Sequence, residues 1–132
     1  MRTVLLVDDD SLVHQLYGVL LKREGLEIFS AESAAKALEH AANHAPDVMV
    51  LEIDLPDMTG LAVLKALQQQ GMTPGMPVIV TTSFTEYRVC EQEAKAFGAT
   101  SFLAKPYSPT QLLAEIRRVL ELKAASKAKA TA

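Results

Sequence analysis

The sequence lacks several features that would directly indicate a class of protein. It has one cysteine, Cys90, so no disulfide can form within the chain, and no zinc-type cluster accompanies the thiol. The first apolar run, VLLV at residues 4–7, is far too short to cross a bilayer, and no signal peptide precedes it. We therefore expect a cytoplasmic protein without membrane contact.

An excess of basic residues is also lacking. The 132 residues include 13 Lys and Arg against 16 Asp and Glu, for a formal net charge of -3. A nucleic-acid partner would favour a basic surface, so no direct contact with nucleic acid is expected. With 49% apolar residues, the chain predicts one folded domain at residues 1–123. The remaining residues 124–132, AASKAKATA, predict a flexible Ala/Lys-rich tail or linker stub.

Short apolar runs alternate with segments of helical spacing along the whole domain. This alternation predicts a doubly wound α/β fold, in which helices cover both faces of a five-stranded parallel sheet. The run at 26–29 carries a charge and suits an edge strand. Ser108, Pro109 and Gln111 predict the start of the last helix, as a capping box with proline at the first helical position. The predicted strands are 4–7, 26–29, 48–53, 78–82 and 100–104, and the predicted helices follow them, the fourth at 86–97.

Polar residues follow four of these runs. Asp8 and Asp9 end the first, Glu52 the third and Thr82 the fourth, and Lys105 ends the fifth. In an open parallel sheet, ligands bind outside the carboxyl ends of the strands, so these side chains should meet in one crevice. Carboxylates that converge there need a cation, and Mg²⁺ prefers their oxygens. With the ammonium and the hydroxyl, they would form an electrostatic cradle for a phosphoryl group.

These motifs, in this order, resemble the receiver domain of two-component response regulators, from the VDD at 7–9 to the last helix near residue 123. The resemblance implies a flavodoxin-like (βα)5 fold with strand order 2-1-3-4-5 and a role in signalling rather than as an enzyme. It also implies that Asp8 and Asp9 form the acidic pair for Mg²⁺, with the backbone carbonyl of Asp54 as a further ligand. Thr82 would be the switch hydroxyl, and Lys105, before a cis peptide to Pro106, the phosphoryl-binding lysine.

The same resemblance implies a switch and partner surface. Phe102 would be the aromatic residue that rotates with the state of the site, and Phe84, Tyr87 and Tyr107 would be contact residues near it. The implied partners are a sensor histidine kinase or another signalling protein, and a downstream effector bound through the fourth helix, fifth strand and fifth helix.

One residue departs from the family pattern. Glu52 lies four residues before Pro56, where receivers carry the aspartate that accepts phosphate and contributes to the metal site. The extra methylene moves the carboxylate by about an ångström, and an error of that size costs on the order of a hundredfold in a positioned transfer. Three hypotheses remain open: Glu52 pairs with Lys105 and holds one conformation without phosphate; phosphorylation is slow, on Glu52 or on Asp54; or Glu52 is an engineered phosphate mimic.

The same residues disfavour two other function classes. The Glu52-Ile53-Asp54 segment differs from the Asp-x-Asp motif of Mg²⁺-dependent phosphatases at its first residue. It therefore lacks the nucleophilic aspartate, and a phosphatase function would leave Asp8 and Asp9 unexplained. Flavin binding is disfavoured because DDDSLV, and no Ser/Thr/Gly-rich phosphate loop, follows the first strand.

Overall fold

The structure, a computed structural model, describes residues 2–73, 75–83 and 91–131, with side chains up to residue 125. Strands and helices alternate as the apolar pattern predicted. The strands are β1 Thr3–Val7, β2 Glu27–Ala31, β3 Val48–Glu52, β4 Val78–Ser83 and β5 Ser101–Lys105. The helices are α1 Ser11–Arg23, α2 Ala34–His44, α3 Gly60–Gln69, α4 over residues 91–96 and α5 Pro109–Thr131.

All four strand pairings in the sheet are parallel, and the strand order is β2-β1-β3-β4-β5. Both the predicted flavodoxin-like order and the place of β2 at an edge are confirmed. Strands β1, β3 and β4 lie inside the sheet and are almost wholly buried, whereas β2 is half-exposed. Continuous apolar runs are typical of strands that helices cover on both faces.

Two apolar cores lie on the two faces of the sheet, because successive side chains of a strand point to opposite faces. Leu5 and Val7 of β1 belong to the core beneath α2 and α3. Val4 and Leu6 of the same strand belong to the core beneath α1 and α5. The ends of the strands are thus held between two packed layers, and the polar residues that follow them are fixed in place.

The helix starts are set by side chains that bond free amide groups of the first turn. The predicted capping box of α5 is present: Ser108 Oγ accepts from Gln111 N at 3.1 Å, and Gln111 Oε1 accepts from Ser108 N at 2.8 Å. Asp10 caps α1 and Ser33 caps α2 in the same manner.

Helix α1 shows one difference from the pattern expected of a sheet-covering helix. Helical spacing predicts one apolar stripe, Leu12, Leu16, Val19 and Leu20, but its first three members lie exposed and Leu20 is only half-buried, whereas Leu21 is buried. Periodicity in the sequence identified the helix, but it did not say which of two apolar faces the sheet would cover.

Some predicted features fall outside the described residues. Phe84, Tyr87, Cys90 and the start of the predicted fourth helix belong to this group, so their assignments stay predictions. Helix α5 includes residues 124–131, where a tail was predicted, and the domain boundary at residue 123 also stays a prediction. Within the described ranges, the helices are too short or too polar for any of them to cross a membrane.

Candidate functional site

Four neighbouring strands bring polar side chains together at the carboxyl edge of the sheet. Asp8 follows β1, Glu52 ends β3, Thr81 lies near the end of β4, and Lys105 ends β5. Asp8 and Glu52 are 1% and 4% exposed, so both carboxylates are buried against the ends of the apolar cores. The strand order places β1, β3 and β4 side by side, and β5 reaches the same site with a long side chain.

Lys105 joins the two buried carboxylates. Its Nζ lies 2.7 Å from Oδ2 of Asp8 and 2.9 Å from Oε2 of Glu52, and its side chain is 30% exposed. The expected pairing of Glu52 with Lys105 is therefore present, and the lysine also pairs with Asp8. The peptide bond from Lys105 to Pro106 is cis, as the resemblance implied.

Both oxygens of the Glu52 carboxylate accept hydrogen bonds in addition to this ion pair. Oε1 accepts from the backbone N–H of Asp54 at 3.2 Å, and Oε2 accepts from the hydroxyl of Thr81 at 3.2 Å. The role of Thr82 as the switch hydroxyl stays a prediction, whereas the hydroxyl that bonds Glu52 belongs to Thr81, its neighbour in β4. The signal that identifies Thr81 is the register, because Glu52 and Thr81 are direct partners in the β3–β4 ladder.

The electrostatics follow from two carboxylates that share one ammonium. Burial raises the pKa of Glu52, and its hydrogen bond to Lys105, which lowers that pKa, offsets the effect only in part. Burial acts to lower the pKa of Lys105, but its hydrogen bonds to Asp8 and Glu52 outweigh it, so the pKa is raised. Lys105 is therefore held firmly as a cation, while the site as a whole keeps a negative charge.

Asp8 is fixed from three sides. Its Oδ1 accepts from the backbone N–H of Asp10 at 2.9 Å, and its Oδ2 accepts from Lys105. Nε2 of His14 lies 2.6 Å from the Asp8 backbone carbonyl, so this ring nitrogen carries the proton and donates it. The Asp8 carboxylate therefore cannot turn toward a new partner without giving up a bond.

The other predicted metal ligands are arranged differently. Asp9 and Asp54 both lie exposed, whereas Asp8 and Glu52 are buried. Among the residues that the structure describes, no three His, Cys, Asp or Glu side chains are grouped to hold a metal ion. The donor types suit Mg²⁺, but Lys105 lies between the two buried carboxylates and would compete with the cation for them.

The loop after Glu52 is anchored at two points. Oδ1 and Oδ2 of Asp57 accept from the backbone N–H groups of Ala34 and Ala35 at 2.9 and 3.0 Å, which lowers the pKa of Asp57. At Gly60, a Cβ atom would lie 2.6 Å from the backbone oxygen of Glu52, so only glycine lets α3 start this close to β3. Asp57 is a second residue whose role the sequence did not reveal.

Two of the predicted switch residues, Phe102 and Tyr107, belong to the described part of the chain. Phe102 is partly buried, and the ammonium of Lys95 lies 5.8 Å from the centre of its ring, a distance typical of a cation–π contact. Tyr107 is 7% exposed, and its ring stacks on Tyr17 with 5.4 Å between centroids. Its side chain thus leaves little surface for the partner contact that was predicted for it.

Fold and site together define a class: a doubly wound α/β module with an acidic pocket and a lysine at the carboxyl edge of its sheet. The family pattern described as "Response regulator receiver domain" matches residues 4–117. The chain belongs to the response regulator receiver domain family, which acts in two-component signalling. The resemblance drawn from the sequence is confirmed. Receiver domains are signalling modules that interact with histidine kinases and effector domains, and they generally bind Mg²⁺ at the phosphorylation site.

The chain is similar to relatives of two different lengths. It is 34% identical over 120 residues to "Probable transcriptional regulatory protein TcrX" of Mycobacterium tuberculosis, with 89% of this chain and 49% of that protein covered. It is 29% identical over 119 residues to "Polar-differentiation response regulator DivK" of Brucella ovis, with 90% and 96% covered. The chain therefore spans about half of one relative and nearly all of another.

Solved structures agree with the fold. The chemotaxis response regulator CheY4 of Vibrio cholerae is 34% identical, with a TM-score of 0.83 over 90% of this chain and 98% of that one. A CheY-like receiver domain protein from Methanospirillum hungatei is 27% identical, with a TM-score of 0.88 over 96% and 98%.

Proposed function

We propose that this receiver holds one conformation without accepting a phosphoryl group at Glu52. The observation that carries the proposal is the position of the Lys105 ammonium, 2.9 Å from Glu52 and 2.7 Å from Asp8. A receiver that uses phosphate needs its lysine for a phosphoryl oxygen. In this chain the carboxylate of Glu52 takes that place itself, because its longer arm reaches the ammonium and pairs with it.

The state of the Glu52 carboxylate supports the same proposal. Its two oxygens accept from Asp54, Thr81 and Lys105, so an attack on a phosphoryl donor would first break some of these bonds. Charge-assisted hydrogen bonds in a buried site are among the strong ones. A nucleophile with both oxygens engaged in this way is poorly placed for transfer, which depends on position to within an ångström.

We further infer that Mg²⁺ binds weakly. The cation would have to displace Lys105 from Asp8 and Glu52, and the two carboxylates already have a counterion in the ammonium. Replacing Glu52 by aspartate shortens the arm and should free the lysine, so the E52D variant should bind Mg²⁺ more tightly. Titration with Mg²⁺, followed through the backbone amide signals of Asp9 and Asp54 by NMR, compares the two proteins directly.

A mass measurement tests the proposal. The wild-type chain and E52D are each incubated with acetyl phosphate and Mg²⁺, and their intact masses are recorded. We expect the wild-type mass to stay unchanged and E52D to gain about 80 Da, the mass of one phosphoryl group. Glu39→Asp, the same chemical change on the exposed side of α2, is the matched control and should stay unmodified.

The competing hypotheses give other results. A stoichiometric phosphoryl adduct on the wild-type chain would refute the proposal, and peptide mapping would then place it on Glu52 or on the exposed Asp54. An inert E52D would place the defect elsewhere in the pocket. Sustained release of phosphate from a generic phosphate ester would favour the hydrolase alternative, whereas we expect none.

We propose two kinds of partner for this chain. A sensor histidine kinase or another signalling protein would bind near the acidic pocket, and an effector would bind the face formed by α4, β5 and α5. On that face a partly exposed network joins β5 to α5: Ser101 Oγ donates to Glu115 Oε1 at 2.6 Å, and Arg118 pairs with the same carboxylate. The lone thiol of Cys90 supports a cytoplasmic location for these encounters.

A further inference from the structure

Two histidines on α2 have no role in the receiver site. His40 and His44 are four residues apart, so their side chains are neighbours on one side of the helix. His40 is half-buried and His44 is exposed. Within the part of the chain that the structure describes, neither ring has a hydrogen bond or an ion pair to the protein. Their ring nitrogens are therefore available to a ligand from solution.

The two imidazoles are held in place by the domain beneath them. Ala37 and Ala41 of α2 are buried in the core on the same face of the sheet, so the helix cannot turn. The ring of Phe29, on β2, lies 4.4 Å from the ring of His44 between centroids, with 9° between their planes. The same ring lies 6.0 Å from that of His40. Packing of this kind fixes the spacing of two ligands before a metal binds.

The distance between the two rings fits a tetrahedral metal ion. A zinc–nitrogen bond is about 2.0–2.1 Å long, so a zinc ion lies about 3.2 Å from the centre of a bound imidazole. A tetrahedral angle then separates two such centres by about 5.2 Å, whereas a right angle would separate them by about 4.5 Å. The centroids of His40 and His44 are 5.3 Å apart. Rotation about the Cβ–Cγ bond, which is soft in histidine, turns the nitrogens while each centre stays nearly in place.

The charges near the two rings also permit a cation. His44 is the last residue of α2, where the helix dipole is negative. Lys36 lies one turn before His40, but its ammonium pairs with Glu39 at 3.6 Å. Imidazole nitrogen is a preferred ligand of Zn²⁺, whereas Mg²⁺ prefers oxygen. No third His, Cys, Asp or Glu joins the pair among the described residues, so water would fill the other positions.

We propose that His40 and His44 bind one Zn²⁺ ion, each through a ring nitrogen, with water in the two remaining positions. The site is separate from the acidic pocket: α2 runs from the carboxyl edge of the parallel sheet back to its amino edge, and His44 ends it. Two protein ligands instead of four should supply about half the binding free energy of a structural zinc site. This corresponds to a dissociation constant between about 1 μM and about 200 μM.

Calorimetric titration of the wild-type chain with ZnCl₂, in an excess of MgCl₂ and near neutral pH, measures the affinity and the stoichiometry. We expect one Zn²⁺ per chain in the stated range. NMR of the same titration should show shifts in the ring signals of His40 and His44 and none in the amide signals of Asp9 and Asp54. The absence of binding, or shifts at Asp9 and Asp54 without shifts in the two rings, would overturn the proposal.

His44→Gln removes one ligand and should raise the dissociation constant at least about tenfold. The double variant A42H/H44Q is the matched control, because it restores two histidines to the exposed side of α2 but at a spacing of two residues, at which side chains do not face each other. It should bind as weakly as H44Q. Binding as tight as that of the wild-type chain by either variant would refute chelation by this pair.

Stability gives a second measurement on the same proteins. Zn²⁺ at about 100 times its dissociation constant should raise the folding equilibrium constant of the wild-type chain about a hundredfold, because the unfolded chain does not hold the two rings together. The urea midpoint of the wild-type chain should rise accordingly, whereas the midpoints of H44Q and A42H/H44Q should change little. Circular dichroism without metal confirms that each variant is folded. An equal rise in all three proteins would place the metal elsewhere and refute the proposal.

Discussion

The lysine between two buried carboxylates can be tested by removing its charge. Lys105→Met keeps most of the aliphatic stem but takes away the ammonium that pairs with Asp8 and Glu52. The two carboxylate oxygens that this ammonium bridges lie less than about 6 Å apart, so the variant leaves two like charges together in a buried site. Unfolding exposes both to water, and the variant should therefore be less stable.

The size of the loss follows from the geometry. Breaking a fully buried ion pair by removing one partner costs about 3–5 kcal/mol. Lys105 is 30% exposed, so solvent already screens part of its charge, and the loss should be about 2–3 kcal/mol at pH 7. Lys36→Met is the control: Lys36 pairs with Glu39 at 3.6 Å on the surface, and its removal should cost less than about 0.5 kcal/mol.

The dependence on pH gives a second measurement. Without the lysine, the folded variant should bind a proton between Asp8 and Glu52 at a pH where the unfolded chain does not. The folded state then holds more protons, and its stability falls as the pH rises above 4.5, the ordinary pKa of a glutamate. The deficit of K105M relative to the wild-type chain should accordingly shrink at pH 5, to roughly half its value at pH 7.

Urea denaturation of the wild-type chain, K105M and K36M at both pH values measures these quantities as free energies of unfolding. The reasoning would be refuted if K105M were no less stable than K36M at pH 7. It would also be refuted if the deficit of K105M grew as the pH was lowered from 7 to 5, because the repulsion between the carboxylates would then not be its source.

Other residues allow separate tests. Gly60→Ala should lower the free energy of unfolding by about 2 kcal/mol or more, because its Cβ would lie 2.6 Å from the Glu52 carbonyl oxygen. Gly18→Ala, in the middle of α1, would bring its Cβ within 4 Å of no heavy atom, so it should raise the free energy of unfolding by about 0.5–1 kcal/mol. A loss of stability in G18A, or none in G60A, would contradict the packing described. Asp57→Ala should lower the urea midpoint and speed hydrogen exchange at the amide of Ala34. In the wild-type chain, the stabilisation by Asp57 is present above the pKa that this residue has in the unfolded chain. It disappears as the pH falls through the lowered pKa of Asp57 in the folded state. Unchanged exchange at Ala34 would show that Asp57 does not cap α2.

Much of the fold was predictable because its signals are local. The predicted strand at 48–53 begins with four apolar residues and became the central strand β3, Val48–Glu52, and the capping box of Ser108 and Gln111 marked the start of α5 correctly. The outward face of α1 was not predictable. Helical spacing shows that Leu12 and Leu16 share a face, but which face the sheet covers depends on the packing of the whole layer.

The candidate site was predictable in its composition but not in its contacts. The carboxylates and the lysine at strand ends follow from the alternating pattern, and the pairing of Glu52 with Lys105 was among the hypotheses. The partner hydroxyl depends on register, and a shift by one residue turns a side chain to the other face of the sheet, so Thr81 and Thr82 could not be told apart. The bonds from Asp57 to α2 join segments far apart in the chain, and no local pattern reports them.

Those bonds have a mechanical consequence. The segment from Glu52 to Gly60 is tied to α2 through Asp57, which satisfies two free amide groups in the first turn of that helix. If this segment moves away, either α2 moves with it or both amide groups lose their acceptor. The pocket and α2 are therefore mechanically coupled, and a rearrangement at Glu52 would be transmitted to the face of the sheet opposite α1 and α5.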